Sequence, residues 1–504
     1  MWKRRFAIAA SAAAMVAAAG LTATWHANWH HQPQRTNAAA GSTAVLGDYA
    51  TPIVGPVGSD GVAHIDDAAT INKLLGAHIN TYAYLIYPSP LYGTADPGTI
   101  TQTQWDDLPG FATAAAQAHI NVLVYIVPPS ESHATTNPTT TPQYQPFGWD
   151  YQAWATHIAQ VAGKQQNIRG MIVDDFGANT AENNSPYAFR FTPQYVGQMR
   201  TAAKAIAPWF TLSTIMYYPD LANATAILAN YRNDLDGIVF PYRSQSTGIV
   251  NTADAREAES EGRSVGSVLR CHAGNSCLQV HYPAKTASSV GQEGGVSQQI
   301  QVEGSAAKRT LSFWVNDDFL TGSTSGFHII QAVIDGTVVA SEDVNGYTTG
   351  WHEISADVTD ALAGKTSADL TLRVIEQKGV SNFAVSAYFD DVSGTGLKIS
   401  DPGFEASGIP AWTPQSNATF SSEQVHNLQY LFMTYAQRLG AERTRDPNYQ
   451  TSADYVGTVV GAALDLTRLH IADGSLIYTL PLAGGDPNSV AEYNAVARLY
   501  GDYK

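Results

Sequence analysis

Apolar and polar positions follow two different rhythms along this chain. From about residue 50 to 245, short apolar runs suited to buried strands take turns with stretches of helical spacing, the pattern of successive βα units. The strand candidates are Thr51 to Val57, Ile79 to Tyr87, Ile120 to Val127, a fourth through Gly170-Met171-Ile172-Val173, then Phe210 to Tyr217 and Gly237 to Tyr242. Thr113 to Ala118, Tyr151 to Gly163 and Thr192 to Ala207 read as helices between them. Pro193 stands in the first turn of the last, where proline fits. From about Val265 to Gly394 the helical rhythm disappears. Segments such as RTLSFWVND, ADLTLRVIE and VSAYFDDV follow one another between Gly, Asp and Asn turns. Asp335-Gly336 between two alternating runs is a hairpin signal. Short strands at this spacing predict an antiparallel sandwich or jelly roll. After about Pro410 the first rhythm returns. Leu428 to Ala436 predicts a seventh strand, Ala453 to Arg468 a helix, Ser475 to Leu480 an eighth strand and Asn488 to Tyr500 a closing helix.

Six strands before the β-rich stretch and two after it predict an α/β fold: a (β/α)8 TIM barrel interrupted after strand 6 by an antiparallel β-sandwich of the jelly-roll kind. The expected divisions are a signal peptide over 1–24, a linker over 25–44, the first part of the barrel over 45–255, the insert over 256–410 and the rest of the barrel over 411–504.

Charge narrows the partners. With 28 Lys and Arg against 44 Asp and Glu, the net charge of −16 argues against nucleic acid and anionic membranes, which demand a basic patch. Lys3, Arg4 and Arg5 precede an Ala-rich apolar stretch from Phe6 to Ala23, the make-up of an export signal. A secreted, monomeric protein is expected, with no membrane contact beyond that signal. The two cysteines, Cys271 and Cys277, are six positions apart, and export makes a local disulfide between them the expectation.

The chemistry concentrates at one place. In Gly170-Met171-Ile172-Val173-Asp174-Asp175-Phe176-Gly177 a buried-strand run ends in two adjacent carboxylates. Asp at a strand end also caps helices. Two neighbouring carboxylates repel, however, and the carboxyl ends of barrel strands form the active-site face. Tyr87, Glu131, Tyr217, Tyr242, Arg243, Tyr435 and Gln437 lie at or just past other strand ends, so a barrel would bring them to the same mouth. No GxxxxGK[ST], GxSxG or HExxH motif occurs, which removes support for nucleotide chemistry, serine hydrolysis and zinc proteolysis. No cofactor and no catalytic metal is expected.

Carboxylates among aromatic rings suit a poly- or oligosaccharide. Glycosidic cleavage needs one carboxyl as proton donor and another as nucleophile or base, while Tyr and Trp faces pack on sugar C–H groups. Asp174, Asp175 and Glu131 are the catalytic candidates. Tyr87, Tyr217, Tyr242, Arg243, Tyr435 and Gln437 are the substrate-binding ones. The seventh strand carries no Asp or Glu, which disfavours the common retaining arrangement with carboxylates on strands four and seven. Two rivals stay open: a non-catalytic polysaccharide-binding protein on a degenerate barrel, and a polysaccharide lyase.

The whole layout resembles secreted (β/α)8 glycoside hydrolases with an accessory carbohydrate-binding module. Ile172-Val173-Asp174-Asp175-Phe176 is similar to the consecutive-Asp signature of glycoside hydrolase family 84. That resemblance implies that Asp174 orients the substrate and Asp175 is the general acid. LSFWVNDDF, GVSNFAVSAYFDDV and DPGFE are similar to segments of jelly-roll carbohydrate-binding modules, which implies a structural calcium held by Glu405 and Asp391.

Overall fold

The computed structural model describes residues 44–49, 51–131, 144–180, 189–217, 228–242, 255–282, 287–317, 325–344, 350–379, 385–417, 420–435 and 452–504. Eight parallel strands close into a barrel: β1 (Val45–Tyr49), β2 (Thr81–Ile86), β3 (Asn121–Ile126), β4 (Ile168–Val173), β5 (Thr211–Ile215), β6 (Gly237–Tyr242), β18 (Gln429–Tyr435) and β19 (Gly474–Tyr478). Closure comes from β1, which pairs with β2 on one side and β19 on the other. Helices α1 (Asp67–Gly76), α2 (Pro97–Gln117), α3 (Tyr151–Lys164), α4 (Pro193–Ile206), α5 (Ala255–Leu269), α6 (Ser452–Arg468) and α7 (Pro487–Tyr503) accompany it.

Two apolar layers follow from strand alternation. Ala83, Leu123, Tyr125, Ile172, Ile215, Val239, Leu431, Met433 and Leu476 point inward and fill the lumen. Leu46, Tyr84, Val124, Val173, Leu212, Phe240 and Phe432 point outward, into the core shared with the helices.

The first strand is Val45–Tyr49, not the predicted Thr51 to Val57. Val54–Val57 instead pairs with Ala63–Ile65 in a separate two-stranded hairpin. The strand is disguised by Gly47 and by Asp48, a carboxylate with no exposed surface. Asp48 Oδ1 accepts the Leu480 N–H at 2.8 Å, and burial holds its carboxyl pKa well above the ordinary range. Helix α2 runs over Pro97–Gln117, far longer than the predicted Thr113 to Ala118. Asp96 caps it by accepting the Thr99 N–H, and Pro97 takes the first helical position, where a missing N–H costs nothing.

Between α5 and β18 the chain builds two antiparallel sheets from β7 (Ser276–Tyr282), β8 (Glu293–Val302), β9 (Thr310–Asp317), β10 (His328–Ile334), β11 (Thr337–Asp343), β12 (His352–Asp357), β13 (Ser367–Glu376), β14 (Val385–Gly394), β15 (Leu397–Lys398), β16 (Thr413–Asn417) and β17 (Ser421–His426). One sheet runs β11-β10-β13-β8-β15 with β16 also on β8, the other β12-β9-β14-β7-β17. Their facing apolar side chains, among them Phe313, Val315, Leu370, Leu372 and Phe389, make a second core. The insert therefore interrupts the barrel after strand six and its helix. Residues 255–269 form α5, which packs on the barrel rather than in the sheets, and the sheets extend to His426.

An insert between a barrel helix and the next strand sits at the amino-terminal end of the strands, opposite the active-site face. The described hydrogen bonds between sandwich and barrel lie there. Arg232, buried just ahead of β6, donates from Nε to His426 O at 3.2 Å and from Nη1 to Val268 O, with the Tyr388 ring 4.9 Å away. Asn316 Nδ2 donates to Ser267 O, and Trp351 Nε1 to Arg270 O. The Cys271–Cys277 disulfide closes the loop that joins the two bodies. Within it, Cys271 N–H donates to Asn427 Oδ1 at 2.7 Å, and Asn427 Nδ2 donates to Gly274 O at 3.0 Å, so the loop holds both chain crossings together.

The carboxylates implied for calcium have other partners. Glu405 Oε1 accepts the N–H groups of Asn275 and Ser276, at 2.8 and 3.0 Å, and Asp391 Oδ2 meets His272 Nδ1 at 2.6 Å. Calcium takes six to eight oxygens around one point. Among the described residues no group of three or more His, Cys, Asp or Glu is placed to hold a metal ion. Burial and the charges of Asp391 and Glu405 push the carboxyl pKa of Asp390 up to about 8, so the three carboxyls are neighbours.

Replacing Arg232 by Met leaves two buried carbonyls without their donors. The expected cost is about 2–4 kcal/mol in urea unfolding. Arg468→Met, which breaks a half-exposed ion pair with Asp465, is expected to cost under about 1 kcal/mol. Equal costs for the two would contradict the buried role of Arg232.

Candidate active site at the carboxyl ends of the barrel strands

Strand β4 delivers the paired carboxylates. Its pairing with β3 extends one residue past the strand, as Asp174 N–H donates to Ile126 O at 3.0 Å. Ile172 points into the lumen, so alternation turns Asp174 the same way. Asp174 is 9% exposed. Asp175 then breaks the strand with a left-handed backbone, φ 35° and ψ 39°, a conformation that Asp tolerates better than most residues. The turn is held from both sides. Asp175 N–H donates to Asp174 Oδ1 at 2.8 Å, and Asn179 Nδ2 donates to Asp175 O at 2.9 Å. Below it Phe176 is buried against Phe191 and Tyr231, with ring centroids 5.1 Å apart in each pair.

Asn179 also ties this turn to the loop after β3. Its Nδ2 donates to Ser130 Oγ at 2.8 Å, and its Oδ1 accepts the Ser130 N–H at 3.3 Å. Glu131 is the next residue, in a turn closed by its N–H to Pro128 O at 3.0 Å. From the neighbouring strand end, Tyr217 follows β5 and donates its hydroxyl to Asp175 Oδ1 at 2.6 Å. Burial raises the pKa of Tyr87, and the charges of Glu131 and Asp174 raise it further, which puts all three groups in one electrostatic neighbourhood.

Below the carboxylates lies an aromatic floor. Tyr49 packs on Tyr125 with ring centroids 4.0 Å apart, and on Tyr478 at 4.7 Å. Tyr125 is fully buried, and burial together with the Asp174 charge holds its hydroxyl well above the usual tyrosine pKa. These stacked rings fill the lumen directly under the carboxylates and give them a rigid apolar support.

Of the residues expected at the mouth, Tyr87, Glu131, Asp174, Asp175 and Tyr217 come together there. Tyr242 does not. It is fully buried in the outer layer, stacked on Phe432 at 5.8 Å, because Val239 points into the lumen and alternation sends Tyr242 the other way. Tyr435 ends β18 opposite Tyr478 in register. Its side chain, together with Arg243 and Gln437, lies outside the described residues. Tyr49, Tyr125 and Asn179 are additions. Tyr49 was hidden by the misplaced first strand, and Tyr125 sits in an unbroken apolar run. Asn179 had a signal in its spacing, four residues past Asp175 in the turn that leaves the strand.

No family model and no curated protein matches the chain. Among solved structures it is similar to the GH5_18 protein from Streptomyces cattleya in complex with GlcNAc, at 12% identity over 41% of this chain and 53% of that one, TM-score 0.28. It is also similar to the exo-β-1,4-mannosidase Op5Man5 from Opitutaceae bacterium strain TAV5, at 12% identity over 47% and 45%, TM-score 0.30. A third is the endo-1,4-β-mannanase from Eisenia fetida, at 13% identity over 41% and 70%, TM-score 0.27. The chain spans about half the length of the first two.

Asn179→Ala removes three hydrogen bonds from a side chain with no exposed surface and frees both loops of the mouth. It is expected to lower stability by about 2–3 kcal/mol in urea unfolding. A loss below about 0.5 kcal/mol would mean the two loops do not depend on it.

Proposed function

We propose that this protein is a secreted glycoside hydrolase that cleaves glycosidic bonds in a poly- or oligosaccharide by carboxylate acid/base catalysis. The observation that carries this reading is the convergence of Asp174, Asp175 and Glu131, from two adjacent strand ends, over a floor of tyrosine rings at the mouth of a closed barrel. Asp175 donates the proton. Its side chain is more open to solvent than that of Asp174, and its turn projects it beyond the strand. Asp174 supports it by holding the Asp175 N–H. Glu131, on the neighbouring loop, serves as the second carboxylate, and Tyr87 flanks the sugar.

Cleavage then runs as follows. The Asp175 proton passes to the glycosidic oxygen, which leaves with the electron pair of the broken bond. A carboxylate or a water activated by one meets the anomeric carbon, and water finally supplies the new hydroxyl. Catalysis belongs to the barrel alone, since the sandwich is seated at the opposite end. Any glycan it binds is engaged away from this mouth.

Export rests on the basic and apolar N-terminal run, with the disulfide in keeping. Among the described residues no helix is long and apolar enough to cross a membrane.

The test is a panel of plant, fungal and bacterial glycans with product analysis. The wild-type protein is expected to release reducing sugars from at least one. Asp175→Asn is expected to lower that rate by at least about 100-fold while melting at the wild-type temperature. Full activity in Asp175→Asn sinks the assignment, and sugar binding without any product would favour a non-catalytic binding protein.

A further inference from the structure

The Asp175 carboxyl has its orientation fixed from three directions. The backbone beneath it is held in a left-handed turn by Asp174 Oδ1 at its N–H and by Asn179 Nδ2 at its carbonyl, 2.8 and 2.9 Å away. The side chain is fixed separately, from another strand, by the Tyr217 hydroxyl on Oδ1 at 2.6 Å. Tyr217 is itself constrained, because its ring packs on the lumen residues rather than standing in solvent. Substrate contact alone does not require that arrangement. A tyrosine serving a sugar presents its ring face or its hydroxyl to the ligand, whereas this hydroxyl is committed to a carboxylate.

We propose that Tyr217 is a positioning residue, whose hydroxyl holds Oδ1 of Asp175 so that Oδ2 faces the glycosidic oxygen. This rests on the glycosidase reading and deepens it, moving Tyr217 from the substrate-binding set to the acid. With Oδ1 accepting from Tyr217, the transferable proton resides on Oδ2. It moves to the leaving oxygen as the C–O bond breaks, and the carboxylate left behind keeps the Tyr217 hydrogen bond. A donor aimed at the group where charge develops strengthens as the reaction proceeds, and a fixed rotamer removes the search for a productive orientation. Asp174 accepts the Asp175 N–H, and its charge reaches Tyr87 and Tyr125, with Glu131 beside Tyr87.

Leaving-group dependence separates this role from simple packing. A 2,4-dinitrophenyl glycoside needs little proton donation, whereas a phenyl glycoside needs a great deal. With both glycosides of the sugar released in the glycan panel, Tyr217→Phe is expected to lower kcat on the phenyl compound by about 10- to 100-fold. On the dinitrophenyl compound the loss is expected to stay under about 3-fold, with KM within about 2-fold on both and the melting temperature unchanged. Asp175→Asn, measured beside it, is expected to show the same selectivity more strongly. Equal losses on the two glycosides, a rise in KM alone, or no loss would overturn the role of Tyr217. The Asp175 assignment would survive if Asp175→Asn still discriminated between the compounds. No product from any glycan of the panel would overturn the glycosidase reading, and this inference with it.

Discussion

Closure of the eight-stranded ring is the constraint on which the rest depends. Once β1 pairs with both β2 and β19, no strand can rotate about its axis without breaking a hydrogen-bonded ladder on each side. Every side chain is thereby assigned to the lumen or to the helix layer. That assignment sends Asp174 and Tyr125 inward and Tyr242 outward, although all three stand at or near strand ends. The mouth is built by parity first and by residue type second.

The same closure leaves two kinds of connection, and the chain uses them for different purposes. Loops that leave the carboxyl ends carry Glu131, Asp175 and Tyr217. The connection between α5 and β18, at the other end, carries the sandwich. Its junction is made of interactions that suit permanence: Arg232 buried on two carbonyls and the Tyr388 ring, and a disulfide loop whose main chain is laced to Asn427. Two bodies so joined share stability without sharing a site.

Much of this was legible in the sequence because long apolar runs bounded by charge leave few alternatives. Strands two to six, the inserted β-rich stretch and the last two strands all lie close to where their hydrophobic pattern put them. The first strand failed because burial in a barrel can accept what a pattern rejects. Asp48 is tolerated there by a hydrogen bond from Leu480, more than 400 positions away in the chain. Glu405 and Asp391 likewise meet main-chain N–H groups and His272, partners that only the folded loop supplies. Tyr49 and Asn179 belong to the same class, since their roles arise from pairing across distant segments.

Two adjacent carboxylates in a half-buried mouth cost free energy, and the local structure shows how the cost is met. The two do not face each other as equals. Asp174 turns an oxygen onto the N–H of its neighbour, so part of its charge is spent on the backbone that creates the turn. Asp175, carried past the strand by that turn, meets a phenol from the next strand instead of a second carboxylate. The left-handed backbone makes this division possible, for a continued strand would have sent Asp175 to the opposite side of the sheet, into the apolar layer beside Val173. One residue thus holds the turn and the other is carried out to the mouth, an asymmetry that the pair as written in the sequence does not reveal.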